Sequence, residues 1–567
     1  MAKKQLKKAD IHPVKRRLAA SAREWALQDP DDDTQTELLT TLAAAEAGDV
    51  DAIALLTDEF AGPLEFGTAG LRAALGPGPA RMNRMVVIQA SAGLADWLLA
   101  EGGALPGSSV LVGYDARRNS ARFARDTAEV MAAAGFRPIL TYGPVPTPVI
   151  AFGVTHLGCV AGVQVTASHN PAADNGYKVY LGDGSQIIPP TDSEIAAHIA
   201  ARAAKPMREI GYLDKVDMVG STLTTAYVST VAALLDGTDT RQLSWAFTAL
   251  HGVGAGTLHD VVAAAKLPTP VMVASQINPN PDFPTVPFPN PEEPGAMDLV
   301  ISLAKARNAD IAIATDPDAD RCAVAVPIGG TWRRLSGDEL GALLGDDAIR
   351  REVPGTFAAS IVSSTLLGTM AKAAGRDYAT TLTGFKWIGR VPDLAFGYEE
   401  AIGYCCDPVN VRDKDGISAT AAILRLTAEL KAQGKTIADQ LTDIDRRFGV
   451  HATSVHSIRV NKLNQITAMM DRLRTNPPRE LAGVAVTMTD LSEAGGPLPP
   501  TDGVEFVGRH VHAVVRPSGT EPKLKCYFEA RRPAEEACRN LVASRAAASS
   551  ILDQLWGSIA SVLEPPE

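Results

Sequence analysis

The chain has 567 residues, 46% apolar and 21% charged, and 54 Lys and Arg against 65 Asp and Glu leave a net charge of −11. Such a length allows roughly four domains of about 150 residues with cores of their own, and no uncharged apolar run reaches the roughly 18 residues of a membrane span. The acidic balance argues against a surface that grips nucleic acid throughout, and six scattered cysteines without Cys-x-x-Cys signal neither a disulfide framework nor a zinc site, which fits a reducing cytoplasm.

Lys3, Lys4, Lys7, Lys8, Lys15, Arg16 and Arg17 open the chain, but no apolar region follows and Asp31, Asp32 and Asp33 come soon after. This reads as a solvated leader before a helix over 18–27 rather than a secretory signal or a nucleic-acid arm. A strand over 110–112, a helix over 122–134 closed by Gly135, a strand over 138–141, a second helix and a strand over 160–165 then alternate as a parallel-sheet unit. The rhythm returns with strands over 244–250, 271–274 and 310–314, helices over 258–265 and 297–309, and a Pro-rich loop over 278–294. A third unit opens with Ser336 and Glu339 at capping-box spacing. It continues through a strand over 357–363, a helix ending at Ala374 and Gly375, and a strand over 378–382. Beyond about 450 come short strands over 484–488, 510–515 and 524–530 and a long Ala-rich helix. The expected fold class is α/β: three similar mixed-sheet α/β domains (1–220, 221–335, 336–450) and a C-terminal α+β domain (451–567).

The informative residues follow strands, where open parallel sheets place ligand crevices. After 160–165 comes Thr166-Ala-Ser-His-Asn-Pro171, whose Asn170-Pro171 turn can present Ser168 at the sheet edge. His169 beside it is a candidate proton shuttle, although an adjacent residue is expected to point another way, and Lys178 can fold back on the same turn. The strand 310–314 empties into Thr315-Asp-Pro-Asp-Ala-Asp-Arg321. Carboxylates at alternate extended positions face one side, so Asp316, Asp318 and Asp320 can converge on one Mg²⁺. An EF-hand is excluded because Arg321 stands where its Gly should be and Pro327 where its Glu should be. Arg516-Pro-Ser-Gly-Thr-Glu-Pro-Lys523 holds the parts of a phosphate cradle: a forked cation, two hydroxyls and a glycine nest. Gly397-Tyr-Glu-Glu-Ala-Ile-Gly-Tyr404 offers acceptors for sugar hydroxyls, and Gly384-Phe-Lys-Trp387 precedes it. Gly252-Val-Gly-Ala-Gly256 places its third glycine one residue too early for a dinucleotide fingerprint, and Cys405-Cys406 reads as core.

Taken in order with Phe66-Gly-Thr-Ala-Gly-Leu-Arg72, these motifs resemble the α-D-phosphohexomutase superfamily from about Phe66 to Ala530. The Asp-Pro-Asp-Ala-Asp-Arg, Gly-Phe-Lys-Trp and Glu-Glu-Ala-Ile-Gly forms are most similar to the branch with phosphopentomutase and glucose-1,6-bisphosphate synthase, alongside bacterial phosphoglucomutases and phosphomannomutases. The resemblance implies four domains around one central cleft and a phosphorylated Ser168, with Mg²⁺ held by Ser168, Asp316, Asp318 and Asp320. It implies sugar and phosphate contacts from Arg321, Lys386, Glu399, Arg516, Ser518, Gly519, Thr520 and Lys523. Proton handling falls to Ser168's neighbours His169, Lys178 and Arg72. Many members carry serine where this chain has Ala401, which removes one hydroxyl partner for the sugar.

The implied reaction moves phosphate between O1 and O6 of an aldohexose through a hexose 1,6-bisphosphate, which also serves as activating primer. Small sugar phosphates are the expected partners of a cytoplasmic monomer or homodimer, with neither nucleic acid nor membrane. Rotation of the fourth domain, hinged near Val450, is expected to keep water from the phosphoserine. Rival readings are a sugar-bisphosphate synthase or phosphatase using the same serine, and a phosphosugar-binding regulator, which would need neither Ser168 nor the aspartates.

Overall fold

A computed structural model of the protein describes residues 11–460, 462–493, 495–496, 498–518 and 523–563. Among the described residues four sheets follow one another along the chain, each the centre of one domain. In the first, the strands Ser109–Tyr114, Arg137–Thr141, Ala161–Val165 and Asp217–Val219 run parallel, and Asp174–Leu181 and Leu71–Ala74 add antiparallel to one side. The second and third repeat the device: Ile311–Thr315 pairs antiparallel with Cys322–Ile328, and Leu394–Glu399 with Gly403–Cys405. The units are therefore mixed sheets. The fourth is antiparallel, its longest pair being Val450–Arg459 and Lys523–Arg532.

This pairing positions the site. Each candidate loop in the first three domains joins a buried parallel strand to its antiparallel return, and the fourth joins the antiparallel Val511–Pro517 and Lys523–Arg532. All four are hairpin tips. The strands beneath are buried on both faces, as Ala161–Val165 and Ile311–Thr315 are along their whole length, so the chain can surface only at the tips.

Several elements depart from the sequence expectation. The N-terminal helix is Ile11–Ala26, so Lys15, Arg16 and Arg17 belong to it, while the lysines before residue 11 lie outside the described residues. Two more helices, Asp32–Ala47 and Val50–Glu59, pack on it through Ala22, Leu38, Leu42 and Leu56. The acidic run 31–33 opens the helix Asp32–Ala47, with the Asp31 side chain accepting from the Asp33 amide. The strand expected over 357–363 stops at Ser360, because the Ser363 amide turns back to the Ser360 carbonyl at 3.0 Å. The helix Arg84–Ala100 is buried nearly all round and shows no polar face from which to read its period. In the fourth domain Val450–Arg459, Val504–Gly508 and the helix Leu463–Thr475 join the expected elements. Among the described residues no helix is long and apolar enough to cross a membrane, and all six cysteines are free thiols.

Buried polar bonds tie the domains together. Thr147 Oγ1 donates to Asp318 Oδ2 at 2.6 Å, Tyr180 donates to Asp413 Oδ2 at 2.9 Å, and Tyr227 reaches Asp415 Oδ1 at 2.8 Å. Arg425, on the helix Gly416–Ala432, donates to the Leu234 carbonyl at 2.6 Å and pairs with the buried Asp347. Asp347→Ala should strand that guanidinium and cost about 3–5 kcal/mol, read as a lower midpoint in urea unfolding.

Candidate active site

The serine loop is held by its backbone. Thr166 Oγ1 donates to the buried Asp115 at 2.6 Å and accepts the Ser168 amide at 2.9 Å. Arg117, itself buried, donates to the carbonyls of Ser168 (2.7 Å), Asn170 (2.6 Å), Pro171 (2.7 Å) and Asp174 (3.1 Å) and lies over the Phe283 ring. Under these restraints Ser168 takes φ 52°, a left-handed conformation uncommon outside glycine. The curl brings Ser168 Oγ to 3.2 Å from His169 Nδ1, so the adjacent histidine does not point another way as expected. Burial, then Arg321 and Arg72, holds that imidazole well below its usual range. Arg72, on Leu71–Ala74, donates to Asn170 Oδ1 at 3.2 Å.

Across the domain boundary Ser168 Oγ donates to Asp316 Oδ2 at 2.9 Å. Asp316, Asp318 and Asp320 are buried, each offering an oxygen within 4.8 Å of the others. Two close approaches shape their loop: a Cβ on Gly252 would meet Pro317 Cα at 2.3 Å, and one on Gly416 would meet the Arg321 carbonyl at 2.2 Å. The glycine run 252–256, rejected above as a dinucleotide fingerprint, thus lets the second domain's helix seat against the aspartate loop. Burial and then its two acidic neighbours push the Asp316 carboxyl well above its usual range. Burial also opposes ionisation of Asp320, yet Lys178, Lys414 and Arg321 hold it below that range. Asp318 Oδ1 and Asp320 Oδ1 are buried without a hydrogen-bond partner among the described residues. Orphaned hard oxygens beside a third carboxylate fit Mg²⁺.

Lys178, on Asp174–Leu181, reaches the aspartate cluster that Ser168 also meets. It donates to Asp318 Oδ2 at 2.7 Å and Asp320 Oδ2 at 2.8 Å. Burial works against its charge, but the two aspartates hold its pKa above the usual lysine value. Arg321 faces Glu292 at 3.7 Å, Asp320 at 3.9 Å and Asp316 at 4.0 Å. Lys386 donates to Thr68 Oγ1, linking the third domain to Phe66-Gly-Thr, and burial pushes its pKa down to about 8. Burial pushes buried Glu399 up to about 7 against the opposing pull of Lys414 and Arg321. At the fourth hairpin the Ser518 amide donates to the Lys523 carbonyl at 2.8 Å, and Arg516 Nε is buried without a partner among the described residues. Gly519 and Thr520 lie outside the described residues.

Matches to the phosphoglucomutase/phosphomannomutase models cover residues 63–205 (α/β/α domain I), 225–329 (domain II), 336–447 (domain III) and 459–545 (C-terminal domain). The chain belongs to this family. Its members are phosphomutases, isomerase-type phosphotransferases, and the chain is an enzyme of that type. A Haemophilus influenzae relative described as "Probable phosphomannomutase" is 45% identical over 470 residues, 79% of this chain and 93% of its own. A human phosphopentomutase is 34% identical over 527 residues, 84% of this chain and 86% of its own. The fold matches that of a phosphoglucomutase/phosphomannomutase family protein from Burkholderia thailandensis with a TM-score of 0.66, at 18% identity over 88% of this chain and 98% of that one.

Three residues of this phosphomutase cleft were not anticipated from sequence. Lys414 lies 3.3 Å from Asp320 and 3.6 Å from Asp413, and its signal was the alternating charge of Asp413-Lys414-Asp415 before a helix. Arg117 gave no signal, being one arginine of a pair after a strand. Glu292 sits in the Pro-rich loop, which sequence marks only as a loop. Gly252→Ala should displace Pro317 and weaken Mg²⁺ binding about tenfold or more, measured by isothermal titration with circular dichroism unchanged.

Proposed function

We propose that this phosphomutase interconverts hexose 1-phosphate and hexose 6-phosphate, glucose before mannose, through phosphorylated Ser168 and a hexose 1,6-bisphosphate. The observation that carries the reading is the 2.9 Å bond from Ser168 Oγ to Asp316 at the edge of the three-aspartate cluster. A phosphosugar-binding module has no need of a serine presented to such a cluster. Asp316, Asp318 and Asp320, with an oxygen of the serine phosphate, would hold Mg²⁺, which when bound spreads the charge on the transferring phosphoryl group.

In the forward direction the free sugar hydroxyl gives its proton to His169 and attacks the phosphorus of phospho-Ser168, the bond from phosphorus to Oγ breaks, Oγ takes the proton from His169, and the bisphosphate forms. The bisphosphate then turns end for end, and Ser168 Oγ takes the other phosphate. His169 Nδ1, 3.2 Å from Oγ, is the nearest basic nitrogen to receive the serine proton in that second half. Lys178, gripped by Asp318 and Asp320, stays charged and serves as a donor beside the loop. Arg72 steadies the turn through Asn170. Glu399 accepts from sugar hydroxyls, and Lys386, Arg321, Arg516, Ser518 and Lys523, with Gly519 and Thr520 of the same motif, take the distal phosphate. A trace of hexose 1,6-bisphosphate restores any enzyme whose phosphoserine is lost. The six free thiols suit a cytoplasmic enzyme.

A pentose phosphate is the second reading, favoured by the relative named phosphopentomutase across 84% of the chain. A panel of glucose 1-phosphate, mannose 1-phosphate and ribose 1-phosphate, each with Mg²⁺ and primer, decides between them. Ser168→Ala should lower isomerisation about a thousandfold or more while keeping sugar-phosphate binding. Turnover at the wild-type rate would overturn the phosphoserine route. Ionised Glu399 is needed to accept and protonated Lys386 to hold phosphate, so kcat/KM should rise through about pH 7 and fall above about pH 8. Lys386→Arg should remove the alkaline limb and leave the acid one.

A further inference from the structure

The reaction above makes no use of the Pro-rich loop over 278–294, yet that loop is built to stay still. Seven prolines stand from Pro279 to Pro294, so much of its chain entropy is lost before folding. At its root the Asn280 amide donates to the His251 carbonyl at 3.0 Å, and the His251 amide donates to the Gln276 carbonyl at 2.9 Å. Gln276 Nε2 donates to Thr285 Oγ1 at 2.8 Å, while its Oε1 accepts from Thr248 Oγ1 at 2.6 Å. Phe283, Val286 and Ala296 bury with Leu250, and Ala172 of the serine loop packs against them. The second domain thus sets a rigid wall beside the phosphoserine turn.

The last turn of this wall aims one carboxylate. Asn290 Oδ1 accepts from the Glu292 amide at 3.1 Å, and the Asn290 carbonyl accepts from the Glu293 amide at 3.0 Å. Pro291 is buried and Glu293 exposed, whereas Glu292 is half-buried with Oε2 at 3.7 Å from Arg321 Nη1. That separation is too long for a hydrogen bond. Among the described residues the Glu292 carboxylate accepts no hydrogen bond, and Arg321 Nε is buried without a partner. Glu292 and Glu399 both act on the Arg321 guanidinium, and the Glu292 charge also reaches Glu400 and Lys525. The loop of the second domain therefore ends where the metal loop, the sugar loop and the fourth domain face one another.

The charges there select the kind of group that Glu292 can take. An anion beside it would be repelled by Glu292, Glu399 and Glu400 together, whereas a neutral hydroxyl can donate to any of them. A guanidinium has five N–H donors, so Arg321 can hold a phosphate oxygen while the carboxylate beside it takes a hydroxyl. The sugar loop itself is one partner short, since Ala401 offers no hydroxyl. We propose that Glu292 reads a ring hydroxyl of the bound sugar phosphate, a second acceptor set beside Glu399 from a different domain, and so determines which sugar is preferred. This rests on the phosphomutase reading above only for the identity of the ligand as a sugar monophosphate.

Calorimetry on Ser168→Ala protein separates binding from turnover. In that background Glu292→Ala should weaken glucose 1-phosphate about tenfold or more, and Glu292→Gln, which keeps an oxygen acceptor without the charge, should weaken it less. Both should bind inorganic phosphate at least as tightly as their parent, because a repulsion has been removed. A residue that merely steadied Arg321 would weaken inorganic phosphate too, so parallel loss of both ligands overturns the proposal. A glucose 1-phosphate affinity within twofold of the parent overturns it as well. Among 2-, 3- and 4-deoxyglucose 1-phosphate, at least one should bind the parent and Glu292→Ala within twofold of each other; equal tenfold losses on all three would overturn the assignment of a ring hydroxyl. Glu293→Ala, the exposed neighbour, should leave every affinity within twofold, and a matching loss there would trace the effect to overall charge and overturn the role of Glu292. A chain that shows this binding pattern but never isomerises in its wild-type form keeps the role of Glu292 and removes the mutase reading. Isomerisation without the pattern removes Glu292 alone.

Discussion

Three carboxylates buried within 4.8 Å of one another cannot all stay charged without cations in the same place. At an effective dielectric of about 20, each pair repels by on the order of 3 kcal/mol, before the cost of burial is counted. The compensating charges come from different parts of the chain: Lys178 from the first domain, Arg321 from the loop itself, Lys414 from the third. Satisfying the aspartates therefore fixes three domains against one another, and the struts through Thr147, Tyr180 and Tyr227 reinforce the same junctions. The site proposed for Mg²⁺ is thus one whose carboxylates the chain's own cations already hold together.

The hairpin arrangement explains how four domains can serve one cleft. A return strand lying antiparallel beside its parent keeps both ends of a loop on rigid backbone, so a six-residue motif can be aimed without a long flexible connection. The domains supply different side chains from equivalent places: a buried hydroxyl at Ser168, a carboxylate cluster at 316–320, a carboxylate pair at Glu399 and Glu400, and a cation at Arg516.

Much of this was open to reading from sequence because buried strands and their turn residues are local signals. The runs ending at Val165 and Ala314, the alternating aspartates and the capping box at Ser336 each declare themselves within a few residues. What was hidden depends on contacts between distant segments. The helix Arg84–Ala100 lacks a polar face because it is covered on nearly all sides, and the pairing of Lys178 with the aspartates went unread because they lie 140 and 142 residues away. The geometry of His169 was misjudged because a left-handed serine is a product of tertiary restraint, which no propensity foretells. Arg117 is the extreme case, since a backbone staple leaves no trace in the pattern of the residues it holds.

That staple has a chemical corollary. Arg117 recognises the loop solely by the main-chain oxygens of residues 168, 170, 171 and 174, which every amino acid possesses. A changed side chain at any of these positions therefore leaves Arg117 its acceptors, so reactivity at the tip is separable from this part of the anchorage.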